Sequence, residues 1–155
     1  MKPLHSPVRS AGVLSLCLAF LLLSGCESRV AITGKVLNDG QPLANAELRW
    51  ASETNSSVFV GGASDASGNI IVDAGGKRDI PVGKYKVTVV WWRLVNGKPL
   101  PEGEEGSALK SKPGAAKQYS ATLDVEITSG TTKVDLDVTG KGTAVEEFKP
   151  VSGAP

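Results

Sequence analysis

The stretch Pro81-Val82-Gly83-Lys84-Tyr85-Lys86-Val87-Thr88-Val89-Val90-Trp91-Trp92 decides the fold. Tyr85, Val87, Val89 and Trp91 recur at every second position, with Lys84, Lys86 and Thr88 between them. Successive side chains of an extended strand point to opposite faces, so this spacing predicts one buried face and one wet face. Pro81 and Gly83 set a turn before the strand. Val90 and Trp92 make the outer face apolar near its end. Tyr85 offers a large apolar body with a hydroxyl that can reach a backbone acceptor.

The same period appears on both sides of this strand. Val30, Ile32, Gly34 and Val36 share one face, and Asn38-Asp39-Gly40 is a turn signal. Gln41-Pro42-Leu43 follows, where proline bars a central strand. Ala46, Leu48 and Trp50 alternate with Glu47, Arg49 and Ala51; Ser57–Val60 and Ile70–Val72 are shorter runs around the turn Ser64–Asn69. Leu123, Val125 and Ile127 alternate with acidic residues, as do Val134, Leu136 and Val138 beyond Ser129-Gly130, which predicts a terminal hairpin. No window of eleven or more residues carries good helical spacing. Short strands divided by turn signals predict an all-β, immunoglobulin-like β-sandwich of about seven strands over residues 30–139. Two stretches depart from the pattern. Residues 93–119, rich in Gly and Pro and carrying Glu102, Glu104 and Glu105, read as a long insert loop that is functional or mobile. Residues 140–155 read as a flexible tail.

The N-terminus carries an address. Lys2 and Arg9 precede the apolar run Ala11–Leu23, and Leu23-Ser24-Gly25-Cys26 follows. That run falls short of the roughly 20 residues a membrane-spanning helix needs, so it reads as a signal-peptide core. Leu-Ser-Gly-Cys resembles the lipobox of bacterial lipoproteins. The resemblance implies a signal peptide over 1–25, fatty acyl chains such as palmitate on Cys26, and a lipidated tether over 26–29. It implies a protein held on the extracytoplasmic face of a bacterial membrane. Buried acyl CH₂ groups contribute about 0.8 kcal/mol each, so two or three chains release very slowly.

Composition narrows the chemistry. The 155 residues suit one domain, and a net charge of +1 gives no basic field for nucleic acid. The one histidine, His5, and one of the two cysteines, Cys17, leave with the signal. The mature chain then lacks His-based zinc ligands and a Ser-His-Asp triad. No cofactor and no metal are expected.

Three blocks, in order, resemble carboxypeptidase regulatory-like domains. Gly34-Lys35-Val36-Leu37-Asn38-Asp39-Gly40-Gln41-Pro42-Leu43-Ala44-Asn45-Ala46 is similar to their opening. Ser64-Asp65-Ala66-Ser67-Gly68 resembles their Asp-Gly turn, and Pro81–Val89 their Pro-x-Gly-x-Tyr-x-Val-x-Val strand. The resemblance implies a transthyretin-like (prealbumin-like) sandwich in a mostly non-catalytic family of accessory and adhesive modules. The insert departs from its shortest form.

Each candidate site has a plainer alternative. Asp65–Asn69 offers part of a calcium loop, but reads better as an Asx turn. Asp124, Glu126, Asp135 and Asp137 would serve an envelope hydrolase only in a cleft, and read as a solvated face. A Ser-Lys pair has no telling spacing. Trp50 and Trp91 fall on inward positions and read as core. Trp92 falls outward, where it packs under the insert or forms a binding spot. The expected role is non-catalytic, structural or protein- or glycan-binding at the cell envelope, through Trp92, Glu102, Glu104 and Glu105. The alternatives are the hydrolase and a carrier of a small apolar ligand between the sheets.

Overall fold

A computed structural model describes residues 28–145. The expected 1–25 signal peptide, Cys26 and the chain beyond residue 145 lie outside the described residues. In chain order the elements are β1 (Arg29–Ala31), β2 (Val36–Asn38), β3 (Gln41–Pro42), β4 (Glu47–Ser52), β5 (Phe59–Ser64), β6 (Ile70–Asp73), β7 (Asp79–Pro81), β8 (Gly83–Leu94), helix α1 (Gly103–Ser111), β9 (Ala116–Ile127), β10 (Leu136–Asp137) and β11 (Thr143–Ala144). The chain is an all-β sandwich. One layer is a six-stranded sheet in the order β11–β9–β8–β4–β5–β6. The other combines the three-stranded β10–β2–β3 and the pair β1–β7. The strands beyond the expected seven are two- and three-residue pieces, too short to show a period.

The deciding stretch becomes the central strand β8, paired along its whole length with β9 and along half of it with β4. Its alternation is realised: Tyr85, Val87, Val89 and Trp91 are buried, while Lys84 and Lys86 are exposed. Trp50 is fully buried between the layers and meets Tyr85 edge-on, with ring centroids 6.2 Å apart. The Tyr85 hydroxyl donates to the Pro81 carbonyl at 2.7 Å, which satisfies it inside the core. Val36, Ile80, Leu136 and Val138 close the cluster from the second layer.

The terminal hairpin does not form. After β9 the chain crosses to the other layer, and β10 pairs parallel with β2, Leu136 opposite Val36. Alternation reports that a strand has two faces; it does not name its partner. Leu136 and Val138 are fully buried, whereas Leu123 and Val125 are half-buried. Only a place across the core hides the first pair. The crossing presses on Gly34, at φ +151°, where a Cβ would lie 1.8 Å from the Val134 carbonyl oxygen. Val134, Leu136 and Val138 donate their N–H groups to Thr33, Lys35 and Leu37 at 2.8, 2.8 and 2.9 Å.

Two boundaries also change. Strands β8 and β9 run into both ends of the 93–119 insert, so the excursion proper is 95–115 and contains α1. The first part of the expected tail is ordered: β11 pairs with β9 beside Tyr119 and Ser120. Gly142 lies against Trp91, where a Cβ would come within 2.6 Å of the indole.

Candidate functional site

A groove of about 1050 Å³ opens at the far end of β8. Trp92 and Arg93, just before the end of that strand at Leu94, line it between two walls. The first wall is the β2–β3 turn and the segment after it, residues 38–45. The second is the excursion, from Gly97 through α1 to Lys110.

The first wall is tied to the sandwich. Asp39 and Asn45 take the left-handed conformation, φ 54° and 56°, which non-glycine residues rarely adopt. Each is held there. The Asp39 N–H donates to Thr139 Oγ1 at 2.7 Å, and that hydroxyl donates to Asp137 Oδ1 at 2.6 Å. The Asn45 N–H donates to the Ser64 carbonyl at 3.2 Å. Buried Ser64 donates its hydroxyl to the Leu43 carbonyl at 2.7 Å and accepts the Ala46 N–H at 2.9 Å. Both bonds of Asp137 to Thr139 hold its carboxyl below the usual carboxylate range.

The second wall is built largely on itself. Glu104 and Glu105 in the first turn of α1 and Lys110 in the last suit the helix dipole. Ser107 and Ser111 hydroxyls bond back to Gly103 and Ser107 carbonyls. Gly106 is the one buried residue of this helix. A Cβ there would lie 2.0 Å from the Pro101 carbonyl oxygen, so only glycine lets the approach loop fold under the helix. Nine residues with two glycines are too few for a helical period to show, but Pro101, the acidic first turn, Lys110 and the Pro113-Gly114 stop were its signals.

Three of the four residues singled out for binding come together: Trp92, Glu102 and Glu104 line the groove. Glu105 stands outside it, exposed on α1. Sequence reading missed Asn38, Gln41 and Asn45 on the opposite wall, because Asn-Asp-Gly reads first as turn chemistry. It also missed Arg93 and Lys110.

The other candidates do not converge. Asp124 and Glu126 lie on the six-stranded sheet, Asp135 and Asp137 on the other layer, and all four are exposed. Asp124 accepts from Lys86 Nζ at 2.7 Å. Asp135 accepts from Lys133 Nζ at 2.8 Å and from the Lys35 N–H at 3.0 Å, and these bonds lower its pKa. Asp65 is an Asx turn: Oδ1 accepts the Ser67 and Asn69 N–H groups and Oδ2 the Asn69 amide, all at 2.8 Å. The Asn69 side chain is the main cause of its lowered pKa. Trp50 and Trp91 are core residues, Trp91 stacked on Tyr119 at 5.7 Å. Among the described residues no three His, Cys, Asp or Glu side chains are grouped to hold a metal ion, and no helix is long and apolar enough to cross a membrane. No family model, curated protein or solved structure matches the chain.

Proposed function

We propose that this chain is a lipid-anchored, extracytoplasmic β-sandwich module that is non-catalytic and binds an envelope protein or glycan through the groove at the end of β8. The observation that carries the reading is the groove's place relative to the tether. The chain enters at Ser28, whose carbonyl accepts the Val82 N–H at 2.9 Å, beside the start of β8. The groove lies at the other end of that 12-residue strand. At about 3.3 Å per residue, Trp92 and Arg93 are roughly 33–36 Å away. A chain hooked to a bilayer by Cys26 therefore holds Trp92 and its groove away from the surface, toward whatever lies beyond.

Other observations support the same reading. The lipobox-like Leu23-Ser24-Gly25-Cys26 supports the hook, and the resemblance to carboxypeptidase regulatory-like domains supports an accessory role. The dispersed, exposed carboxylates weigh against the hydrolase. The indole, phenol and aliphatic side chains that fill the space between the layers weigh against an apolar carrier.

One experiment in cells tests both halves. Labelled palmitate should enter the native protein, and Cys26→Ser should lose the label and stay unprocessed. A photo-crosslinker at Ser107, inside the groove, should trap a partner that the same group at Thr122, on the outer face of β9, does not. Label retained in Cys26→Ser would overturn the anchor. Equal trapping at both positions would overturn the groove.

A further inference from the structure

We propose that the occupant of this groove is an uncharged oligosaccharide segment, with Trp92 as its stacking platform. The inference rests on the groove being the binding site, as argued above, and goes on to name its ligand. Four features carry it. The volume of about 1050 Å³ is at the top of the range for single small ligands, so it suits several linked rings better than one. The floor holds a half-buried indole, whose apolar face matches the C–H face of a pyranose ring. The tied wall presents the amides of Asn38, Gln41 and Asn45, which donate and accept at once, as paired sugar hydroxyls do. Finally, the charges are mixed. Asp39, Glu102 and Glu104 stand against Arg93 and Lys110, so neither a polycation nor a polyanion meets a complementary field.

A peptide strand fits less well. Peptides add to sheets by pairing with a free edge. The nearest edge is β3, which is two residues long and contains Pro42, a residue with no N–H to give. At the neighbouring end of β9 the edge beside Tyr119 and Ser120 is occupied by β11. The left-handed Asp39 and Asn45 are also consistent with a site: such conformations persist where the surroundings enforce them, and ligand clamps are where they gather.

The test is tryptophan emission of the full-length protein in a detergent without a sugar headgroup. Trp50 and Trp91 are buried, so a ligand in the groove reports through Trp92. The probes are the tetramers of N-acetylglucosamine, β-1,4-glucose and α-1,4-glucose, with tetragalacturonate and tetralysine as charged controls. At least one neutral tetramer should shift the emission to the blue and saturate, with no loss of affinity in high salt. Trp92→Ala should bind it at least about tenfold more weakly, as the loss of a central aromatic anchor does, and should be read by calorimetry because its reporter is gone. Trp92→Phe should keep part of the affinity. Binding of the charged controls alone, or equal affinity in Trp92→Ala, would overturn the proposal. So would no response to any neutral tetramer. In that last case a partner still trapped at Ser107 and not at Thr122 leaves the groove reading standing and removes only the sugar. Equal trapping at both positions would remove the groove itself.

Discussion

The two walls of the groove are built in opposite ways. Residues 38–45 are the tip of the short β2–β3 pair and the segment after it, held to the sandwich by buried bonds through Ser64 and by the Asp39–Thr139–Asp137 chain. Residues 97–110 contain a helix, a regular element, yet their backbone bonds to the sandwich lie at the entrance alone, where the Leu94 N–H donates to the Lys98 carbonyl at 2.8 Å and Pro99 bridges to Arg93. Regular structure and rigidity are therefore separate properties here. Rigidity follows from how many buried polar groups and core side chains a segment shares with the rest. The tied wall bears amides and the other bears the carboxylates of Glu102 and Glu104, so the two offer a ligand different chemistry.

Two glycine substitutions would separate the walls most sharply. At Gly34 and Gly106 a new Cβ meets a carbonyl oxygen at nearly the same distance, 1.8 and 2.0 Å. Gly34 stands beside the crossing as it pairs with β2, and a Cβ there meets the backbone of Val134 rather than a side chain that could move aside. Gly34→Ala should lower global stability by about 3 kcal/mol or more, through overpacking and a disfavoured φ. Gly106→Ala should lower it by less than about 1 kcal/mol and instead abolish amide protection over α1, since that wall can open alone. Denaturant midpoints and hydrogen exchange measure both. Equal losses in the two variants would show that the helix is part of the global unit.

The next effect is smaller and confined to the fixed wall. Ser64→Ala strands the Leu43 carbonyl and the Ala46 N–H at a position only 3% exposed. An unpaired buried group costs about 1–3 kcal/mol, so a loss of about 2 kcal/mol is expected. Exchange should quicken at residues 43–46 while α1 keeps its protection. A loss below about 0.5 kcal/mol would mean that the wall is held by its turn alone.

These contrasts explain what was legible in the sequence. The all-β class and the inward Trp50, Tyr85 and Trp91 follow from period two, a local consequence of strand geometry. So does the outward Trp92. The partner of each strand is not local, and the Val134–Val138 crossing was missed for that reason. Glycine was the least informative letter. Gly34 and Gly106 mark backbone contacts, while Gly97, Gly103 and Gly114 have nothing within 4 Å and serve only their positive φ. The letter is the same in both uses. Half of the site was visible as the insert with Trp92, Glu102 and Glu104. The other half came from a turn over 38–45 that only the fold brings opposite them.

The smallest effect concerns acid. Asp137 sits below the ordinary carboxyl value of 3.8 because the Thr139 hydroxyl and N–H both donate to it. Asp65 and Asp135 are lowered as well, by Asn69 and by Lys133. A carboxyl that is harder to protonate in the folded chain than in the unfolded one stabilises the fold at every pH above its unfolded value, about 4. That contribution fades as pH falls through the lower folded value, because the unfolded chain then binds more protons. Asp135 and Asp137 are exposed and Asp65 is half-buried, so each share is small and screened by salt. Asp137 alone is linked to the groove, through Thr139 to the N–H of Asp39. As pH falls through that lower folded value, the Asp39 amide should exchange faster relative to its intrinsic rate, while the amides of α1 do not change their pattern. Asp137→Asn should reproduce that faster exchange at neutral pH and flatten the acid dependence of the unfolding midpoint. If Asp39 exchange in Asp137→Asn matches the native protein at neutral pH, the left-handed turn holds its own shape and the fixed wall owes nothing to the crossing.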